Sequence, residues 1–426
     1  MKHDLLTVVD SLTSVLEQRK FLLAYSGGLD SHVLLHVVSR LPDIELRAVH
    51  IDHGLQDASP WWGRHCRDIC NDLGVPLERI SLHLAVPEGQ SVEAYAREKR
   101  YQAFKDQLQP GEVLLTAHHQ NDQAETLLIQ LLRGAGGAGL SAMPMIAPFA
   151  LGHHMRPLLN CSRVQLEAYA DEYQLSFVED SSNADLRYDR NYLRHQILPQ
   201  LAERWPGCYG TLSRAAFIQG ETQQLLDSYV AQDALQQVGS VAGTLSVAAL
   251  LDCEPARRRA ILRYWLISSG FKAPSAKKLQ HIISDVLYAA EDASPCVHWA
   301  DVEVRRYRDD LYVMNALSEH DPMQTFSWDL TEDLFIASLG LLLRADQLGA
   351  WGDKLRADEA VLSLRFRQGG EVMRPPEKEH SISLKHIFQQ FAVPPWLRER
   401  IPLVFLGDQL IMVYGVCQID PASWER

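Results

Sequence analysis

The N-terminal half of the chain predicts an α/β fold with a mostly parallel sheet. The rest predicts a helical middle domain and a small β-rich C-terminal domain. Short apolar runs alternate with helical patterns across brief connections, as expected for parallel strands joined by crossover helices. Three of these runs feed into polar clusters, the place where folds of this class bind ligands. From Phe326 onward, short alternating runs replace the helices.

Leu5, Val8, Val9, Leu12, Val15 and Leu16 recur at helical spacing and predict a leading amphipathic helix over residues 4–18. Phe21–Tyr25 reads as a buried strand, with an apolar helix at Val33–Val38 after it. Leu46–Asp52 is a second strand, leading into His53-Gly54-Leu55. A helix from about Pro60 to Leu73, a strand at Leu77–Leu82 and a long helix from Val92 to Leu108 follow, the last with Ser91 as N-cap. Glu112–Ala117 is a fourth strand and Asp122–Leu132 the next helix. Arg133-Gly-Ala-Gly-Gly-Ala-Gly-Leu140 reads as a mobile loop. Further helices are expected at 162–173, 214–237, 256–269 and 275–290, and strand character at 302–314. A hairpin is expected around Gly407-Asp408. Pattern changes near 215 and 322 divide the chain into 1–215, 216–321 and 322–426.

Ser26-Gly27-Gly28-Leu29-Asp30-Ser31 turns the first strand into its helix. Paired glycines permit positive φ and close approach of a ligand. Successive backbone N–H groups and a helix N-terminus make such a turn an anion cradle, and two serines add hydroxyls. The spacing is not that of a Walker A loop. Asp30 would repel a phosphate unless a divalent cation lay between them.

Thr116-Ala-His-His-Gln-Asn-Asp-Gln-Ala-Glu-Thr126 closes one strand and opens a helix. Asp122 and Glu125 are three apart and share a helix face. Both stand near a helix N-terminus, so simple capping and a chemical role are both open. Metal ligation by the adjacent His118 and His119 is a minor alternative.

A net charge of −13 argues against indiscriminate nucleic-acid binding but leaves room for nucleic acid on a local basic patch. Arg187, Arg190, Arg194, Arg204 and Arg214 form one basic stretch. Arg257–Arg259 with Arg263, and Arg305, Arg306 and Arg308, form two more, with tyrosines and Trp265 interleaved. A solvated helix face is the alternative for any one cluster. The seven scattered cysteines offer neither a disulfide framework nor a Cys-x-x-Cys pair. No apolar run is long enough to span a bilayer, and the N-terminus carries an acid where a signal peptide is basic. A cytoplasmic protein with no membrane partner is expected.

Several motifs stand in order along residues 26–194. They are the Ser-Gly-Gly-Leu-Asp-Ser loop, Val49-His-Ile-Asp-His-Gly-Leu55 and Glu93-Ala-Tyr-Ala-Arg-Glu-Lys-Arg-Tyr101, then His118-His119 with Asp122, Glu125 and Thr126. Leu132-Arg-Gly with Gly-Leu-Ser-Ala-Met143, Glu179-Asp-Ser-Ser-Asn183 and Arg190-Asn-Tyr-Leu-Arg194 complete the set. Together they resemble the tRNA(Ile)-lysidine synthetases of the PP-loop ATP pyrophosphatase superfamily, which split ATP between its α and β phosphates. Beyond residue 200 only the order and length of the regions match the longer bacterial form. Asn121 departs from the pattern, which leads one to expect a second Asp beside Asp122.

The resemblance implies an N-terminal parallel-sheet PP-loop domain. It implies ligation of L-lysine to C2 of the wobble cytidine in the CAU anticodon of tRNA(Ile), through ATP-dependent adenylation with release of AMP and pyrophosphate. The modified tRNA then reads AUA as isoleucine. ATP would sit on Ser26, Gly27, Gly28, Leu29, Asp30 and Ser31, with Mg²⁺ on Asp30 and Asp122. Asp30, Asp122 and Glu125 would be catalytic, Glu125 gripping or deprotonating the lysine amine. Arg97, Arg133, Arg190 and Arg194 would contact tRNA or phosphate. A monomer and a homodimer both fit. The rivals are a tRNA thiolase or glutamine-dependent synthetase with the same loop, and a nucleotide sensor without catalysis. No cysteine pair or glutaminase unit supports the first, and a sensor has no need of the acids.

Overall fold

The computed structural model describes Leu5, Val9 and residues 19–52, 59–82, 84–87, 89, 92–179, 184–290, 293–348, 361–374 and 380–419. The expected turn at His53-Gly54-Leu55, the Ser91 cap, residues 180–183 and most of the 4–18 helix lie outside them. The chain forms two compact units, Met1–Leu226 and Asp227–Arg426.

The first unit is built on a six-stranded sheet in the order β3-β2-β1-β4-β6-β5. Its strands are β1 (Lys20–Ala24), β2 (Glu45–Asp52), β3 (Leu77–Ser81), β4 (Glu112–Leu115), β5 (Ile146–Phe149) and β6 (Gly152–Met155). Strand β1 is central and pairs in parallel with β2 (Phe21 against Leu46) and with β4 (Phe21 against Val113). Phe21, Leu23 and Tyr25 pack on one face with Val33, Leu34 and Val37 of helix α1 (Leu29–Val38), while Leu22 packs on the other with Val49, Phe104 and Leu114. A strand covered on both faces reads as an unbroken apolar run, which is why β1 was legible. Each such side chain contributes about 2 kcal/mol on burial.

The chain moves from β1 outward to β2 and β3, then returns across the sheet to β4. The connections leaving β1 and β4 therefore diverge, and a crevice opens at the C-terminal ends of these neighbouring strands. The loops 26–31 and 116–119 stand there. The hairpin of β5 and β6 was not foreseen. Its strands are four residues long and include Pro148, His153 and His154; parallel pairing of Val113 with His153 holds β6 against β4. The remaining helices of this unit are α2 (Ser59–Asp72), α3 (Val92–Gln107), α4 (Gln120–Leu132), α5 (Gly137–Leu140), α6 (Arg163–Glu172), α7 (Asp189–Tyr192) and α8 (Leu198–Arg204). Helix α9 (Cys208–Gln236) runs unbroken through residue 215.

The expected loop at 133–140 is folded. Gly134, at φ 68°, ends α4 in a Schellman turn in which Ala135 N–H donates to Gln130 O and Gly134 N–H to Leu131 O. Short α5 follows, and a Cβ on Gly137 would lie 2.7 Å from Gln223 Oε1. These glycines serve a helix end and a close helix contact.

The second unit has two cores. The first joins helices α10 (Val247–Asp252), α11 (Pro255–Ser268) and α12 (Ala276–His281) to an antiparallel sheet of order β7-β10-β9-β8, over Leu245–Ser246, Cys296–Trp299, Val302–Tyr307 and Asp310–Asn315. The helical region thus carries a sheet, whose Val297, Val302, Val304 and Leu311 are buried. The second core lies under a five-stranded antiparallel sheet that includes the expected hairpin, Leu403–Leu406 with Gln409–Val413.

Candidate active site

A cleft of about 1060 Å³ lies at the C-terminal ends of β1, β2 and β4, lined by the 26–31 loop, by His50 and Asp52 of β2 and by the 116–125 run. Loop 26–31 is held internally. Ser26 Oγ and Ser31 Oγ are 3.0 Å apart, Ser31 Oγ donates to Gly28 O at 3.0 Å, and Gly28 N–H donates to Ser26 Oγ at 3.3 Å. Gly27 takes φ 84°, and a Cβ there would sit 2.8 Å from Cys66 Sγ. Gly27 O accepts from Val178 N–H at 3.0 Å, tying the extended segment after α6 to the loop. Gly28 is the N-cap of α1 and offers no side-chain cap, so the first N–H groups of the helix remain available to an anion.

The 118–125 run meets this loop. His119 is the N-cap of α4, its Nδ1 accepting from Asn121 N–H at 3.2 Å, while Asp122 Oδ2 accepts the His119 backbone N–H at 3.0 Å. His119 Nε2 lies 3.5 Å from Asp122 and 3.7 Å from Asp30, so one imidazole links both acids. Burial works against charge on His119, yet Asp122 and Asp30 outweigh it and raise its pKa. Burial likewise opposes the Asp122 anion, but His119 and the Arg190 and Arg194 guanidinium groups hold its pKa below the usual carboxylate range. Capping and ion pairing are both real for Asp122.

Two of the arginines expected on the tRNA surface, Arg190 and Arg194, turn inward. Arg190 Nε donates to Glu125 Oε2 at 2.7 Å, and Arg194 Nε to Glu125 Oε1 at 2.6 Å. Both also reach Asp122 Oδ1, at 3.3 and 3.0 Å. Glu125 is 1% exposed, an anion already gripped by two guanidinium groups and not an open base. Arg194 sits on a π-helical turn, Leu193–Ile197, a widened geometry frequent at functional sites, and lines the cleft. Arg133 is exposed, its Nη2 4.0 Å from Asp189, and Arg97 is exposed with its guanidinium over the Tyr101 ring. Neither lines the cleft; Arg100, three residues on, does.

Sequence reasoning missed Arg163, whose Nη1 holds both Asp30 oxygens at 2.7 and 2.9 Å. The two are 133 residues apart and no local pattern links them. Asn121 Oδ1 accepts from Arg163 N–H at 3.3 Å, so the departure from Asp leaves a structural contact. Trp62 and Tyr209 also line the cleft without having been singled out. Two expected basic patches are largely spent internally. Arg258 is buried and donates to Leu250, Leu251 and Cys253 carbonyls at the end of α10, and Arg306 donates to Leu287 and Ala289 carbonyls.

A PP-loop domain family matches residues 1–201, a TilS substrate binding domain 245–312 and a TilS substrate C-terminal domain 362–420. The tRNA(Ile)-lysidine synthase of Coxiella burnetii is 42% identical over 410 residues, covering 95% of this chain and 91% of its own. That of Edwardsiella ictaluri is 43% identical over 410 residues (94% and 91%), and that of Salmonella typhimurium 41% over 419 (96% and 95%). Among solved structures, the U34-tRNA thiolase NcsA from Methanococcus maripaludis aligns with 50% of this chain and 77% of its own, at a TM-score of 0.41 and 15% identity, too distant to bear on activity.

The parallel sheet and its phosphate loop define an ATP-using PP-loop domain of the ATP pyrophosphatase type. The chain belongs to the tRNA(Ile)-lysidine synthase family.

Proposed function

We infer that this protein is a ligase that joins L-lysine to C2 of the wobble cytidine in the CAU anticodon of tRNA(Ile), forming lysidine and releasing AMP and pyrophosphate. One observation carries the reading. In a chain of this family, a single cleft holds both the Ser26–Ser31 anion cradle and the Asp122–Glu125 carboxylates.

The C2 oxygen of cytosine leaves poorly, so it first attacks the α-phosphorus of ATP and pyrophosphate departs. Ser26, Ser31 and the N–H groups opening α1 meet the charge that develops on pyrophosphate. The lysine amine then attacks C2, AMP leaves, and the amine gives up a proton. Freeing the amine at pH 7 costs roughly 4–5 kcal/mol from a reference pKa of about 10.4. Glu125 is the candidate to offset this. Because Arg190 and Arg194 hold it, we propose an exchange: the lysine ammonium replaces Arg194 on Glu125, and Arg194 turns to a phosphate or to tRNA.

Magnesium fits as a passenger of ATP. Among the described residues no three His, Cys, Asp or Glu side chains group as a cage. Asp30 and Asp122 flank one imidazole beside the phosphate loop. One or two carboxylates, with phosphate oxygens and water, are what this ion takes. Held by Asp30 and Asp122, it would neutralise phosphate charge.

The exposed Arg97, Arg133, Arg204, Arg259 and Arg263 remain candidate tRNA contacts. We keep the division at 1–215, 216–321 and 322–426 as a proposal, with helix α9 as the connector between the first two. No helix of the described residues is long and apolar enough to cross a membrane. A reaction that consumes ATP and tRNA supports a cytoplasmic location.

The test is isotope exchange. The purified protein should exchange labelled pyrophosphate into ATP when tRNA(Ile) is present and lysine is absent. Asp30→Ala should abolish this exchange. Wild-type exchange in that variant removes Asp30 from the site, and no exchange in the wild type removes the adenylation step.

A further inference from the structure

A chain of hydrogen bonds runs behind the cleft wall and ends on His118. Arg156 Nη2 lies 3.1 Å from His154 Nδ1, His154 Nε2 lies 2.8 Å from Thr116 Oγ1, and Thr116 Oγ1 lies 2.8 Å from His118 Nδ1. Thr116 and His118 line the cleft; His154 and Arg156 are buried.

The direction of this chain is fixed at its inner end. A guanidinium donates and cannot accept. His154 Nδ1 must therefore accept, so its ring is neutral and carries its hydrogen on Nε2. That N–H donates to Thr116 Oγ1. The hydroxyl hydrogen then passes to His118 Nδ1, which leaves the His118 hydrogen on Nε2. Reversing the last link would strand the Thr116 hydrogen in a buried site, at the cost of an unmade bond. Arg156 is itself anchored by the Pro144 carbonyl at 2.7 Å, so its charge stays in place.

We propose that Arg156, His154 and Thr116 are positioning residues that lock His118 as a neutral Nε2–H tautomer, giving the cleft a fixed hydrogen-bond donor. Nδ1 is occupied, so His118 is not the base that frees the lysine amine. Bonds in such a chain polarise one another, and the Arg156 charge strengthens the terminal donor. Burial pulls the His118 pKa down to about 3, against Asp122 and with help from Arg156. Burial and Arg156 bring His154 to about 3 as well. Resting on the ligation proposed above, the acceptor is an oxygen of the reacting cytidine or of the α-phosphate that gains negative charge.

The experiment uses the full-length protein with isotope-labelled histidine. Long-range nitrogen–proton correlation spectra at pH 7, without substrate, assign the His118 tautomer, and steady-state kinetics with ATP, lysine and tRNA(Ile) follow on the same samples. The wild type should show the Nε2–H form. Thr116→Val removes the relay hydroxyl and should give a mixture of tautomers, with kcat lowered about tenfold or more and the KM for ATP changed less than about twofold. Thr116→Ser should restore both the spectrum and kcat. A wild-type Nδ1–H tautomer or imidazolium overturns the proposal, with no variant needed. So does a Thr116→Val protein with unchanged spectrum and kcat. A wild type that makes no lysidine while showing the Nε2–H form refutes the ligation reading and leaves the relay standing.

Discussion

Arg194 grips Glu125 through two near-parallel bonds, Nε to Oε1 at 2.6 Å and Nη2 to Oε2 at 3.0 Å. Forked pairing of this kind fixes a carboxylate in direction as well as charge. If lysine takes the place of Arg194, Glu125→Gln should raise the lysine KM at least about tenfold while tRNA-dependent pyrophosphate exchange persists. The fold should lose about 1–2 kcal/mol, since Gln still accepts a guanidinium bond and both arginines reach water. Equal loss of both half-reactions would count against the assignment.

Gly27 stands at φ 84° with Cys66 Sγ where a Cβ would go. Gly27→Ala should cost about 1–3 kcal/mol and weaken ATP binding, because the loop must leave its left-handed turn. Cys66→Ala should not rescue it, as the strain lies in φ. Calorimetric titration with ATP on both proteins checks this; full rescue would place the defect in the contact instead.

Arg258 and Arg259 are neighbours with opposite fates. Arg258 is buried on carbonyl oxygens, while Arg259 is exposed. Arg258→Ala should destabilise the protein by about 2–4 kcal/mol in urea unfolding, by removing a buried donor shared by the Leu250, Leu251 and Cys253 carbonyls. Arg259→Ala should leave stability within about 0.5 kcal/mol and reduce the salt dependence of tRNA binding. The reverse pattern would contradict both roles.

Asp310 is buried beneath Ser240 and Thr244. Ser240 Oγ donates at 2.6 Å and Thr244 Oγ1 at 2.7 Å. Burial raises its pKa, but these bonds and the Ser240 and Val241 N–H groups outweigh it, so the net shift is downward. A carboxyl with a depressed folded pKa adds stability above its unfolded value of about 3.8, and loses it as pH falls through the folded value. Asp310→Asn should therefore flatten the acid limb of the stability–pH curve below the unfolded value, measured by urea midpoints. An unchanged limb would show that Asp310 does not drive it.

The central strand, its loop and the 118–125 run were legible because each is a continuous signal: Phe21–Tyr25 is apolar without a break, and the motifs are local. The partners of the acids were not. Arg163 reaches Asp30 across 133 residues, and Arg190 and Arg194 looked like surface charge until the fold turned them onto Glu125. The β5–β6 hairpin escaped because His153 and His154 gain strand character only through pairing with β4. A signal did exist for Arg258. It stands three and four residues before the buried Ile261 and Leu262, on the inner face of α11.

The central claim is lysine ligation, and incorporation of labelled lysine tests it most directly. The full-length protein is given ATP, magnesium, labelled L-lysine and an unmodified tRNA(Ile) transcript with a CAU anticodon. The label should enter the tRNA at the wobble cytidine, with one AMP and one pyrophosphate released per lysine, and a methionine tRNA with the same anticodon should stay unlabelled. ATP cleavage to AMP and pyrophosphate with no lysine in the tRNA would contradict the account.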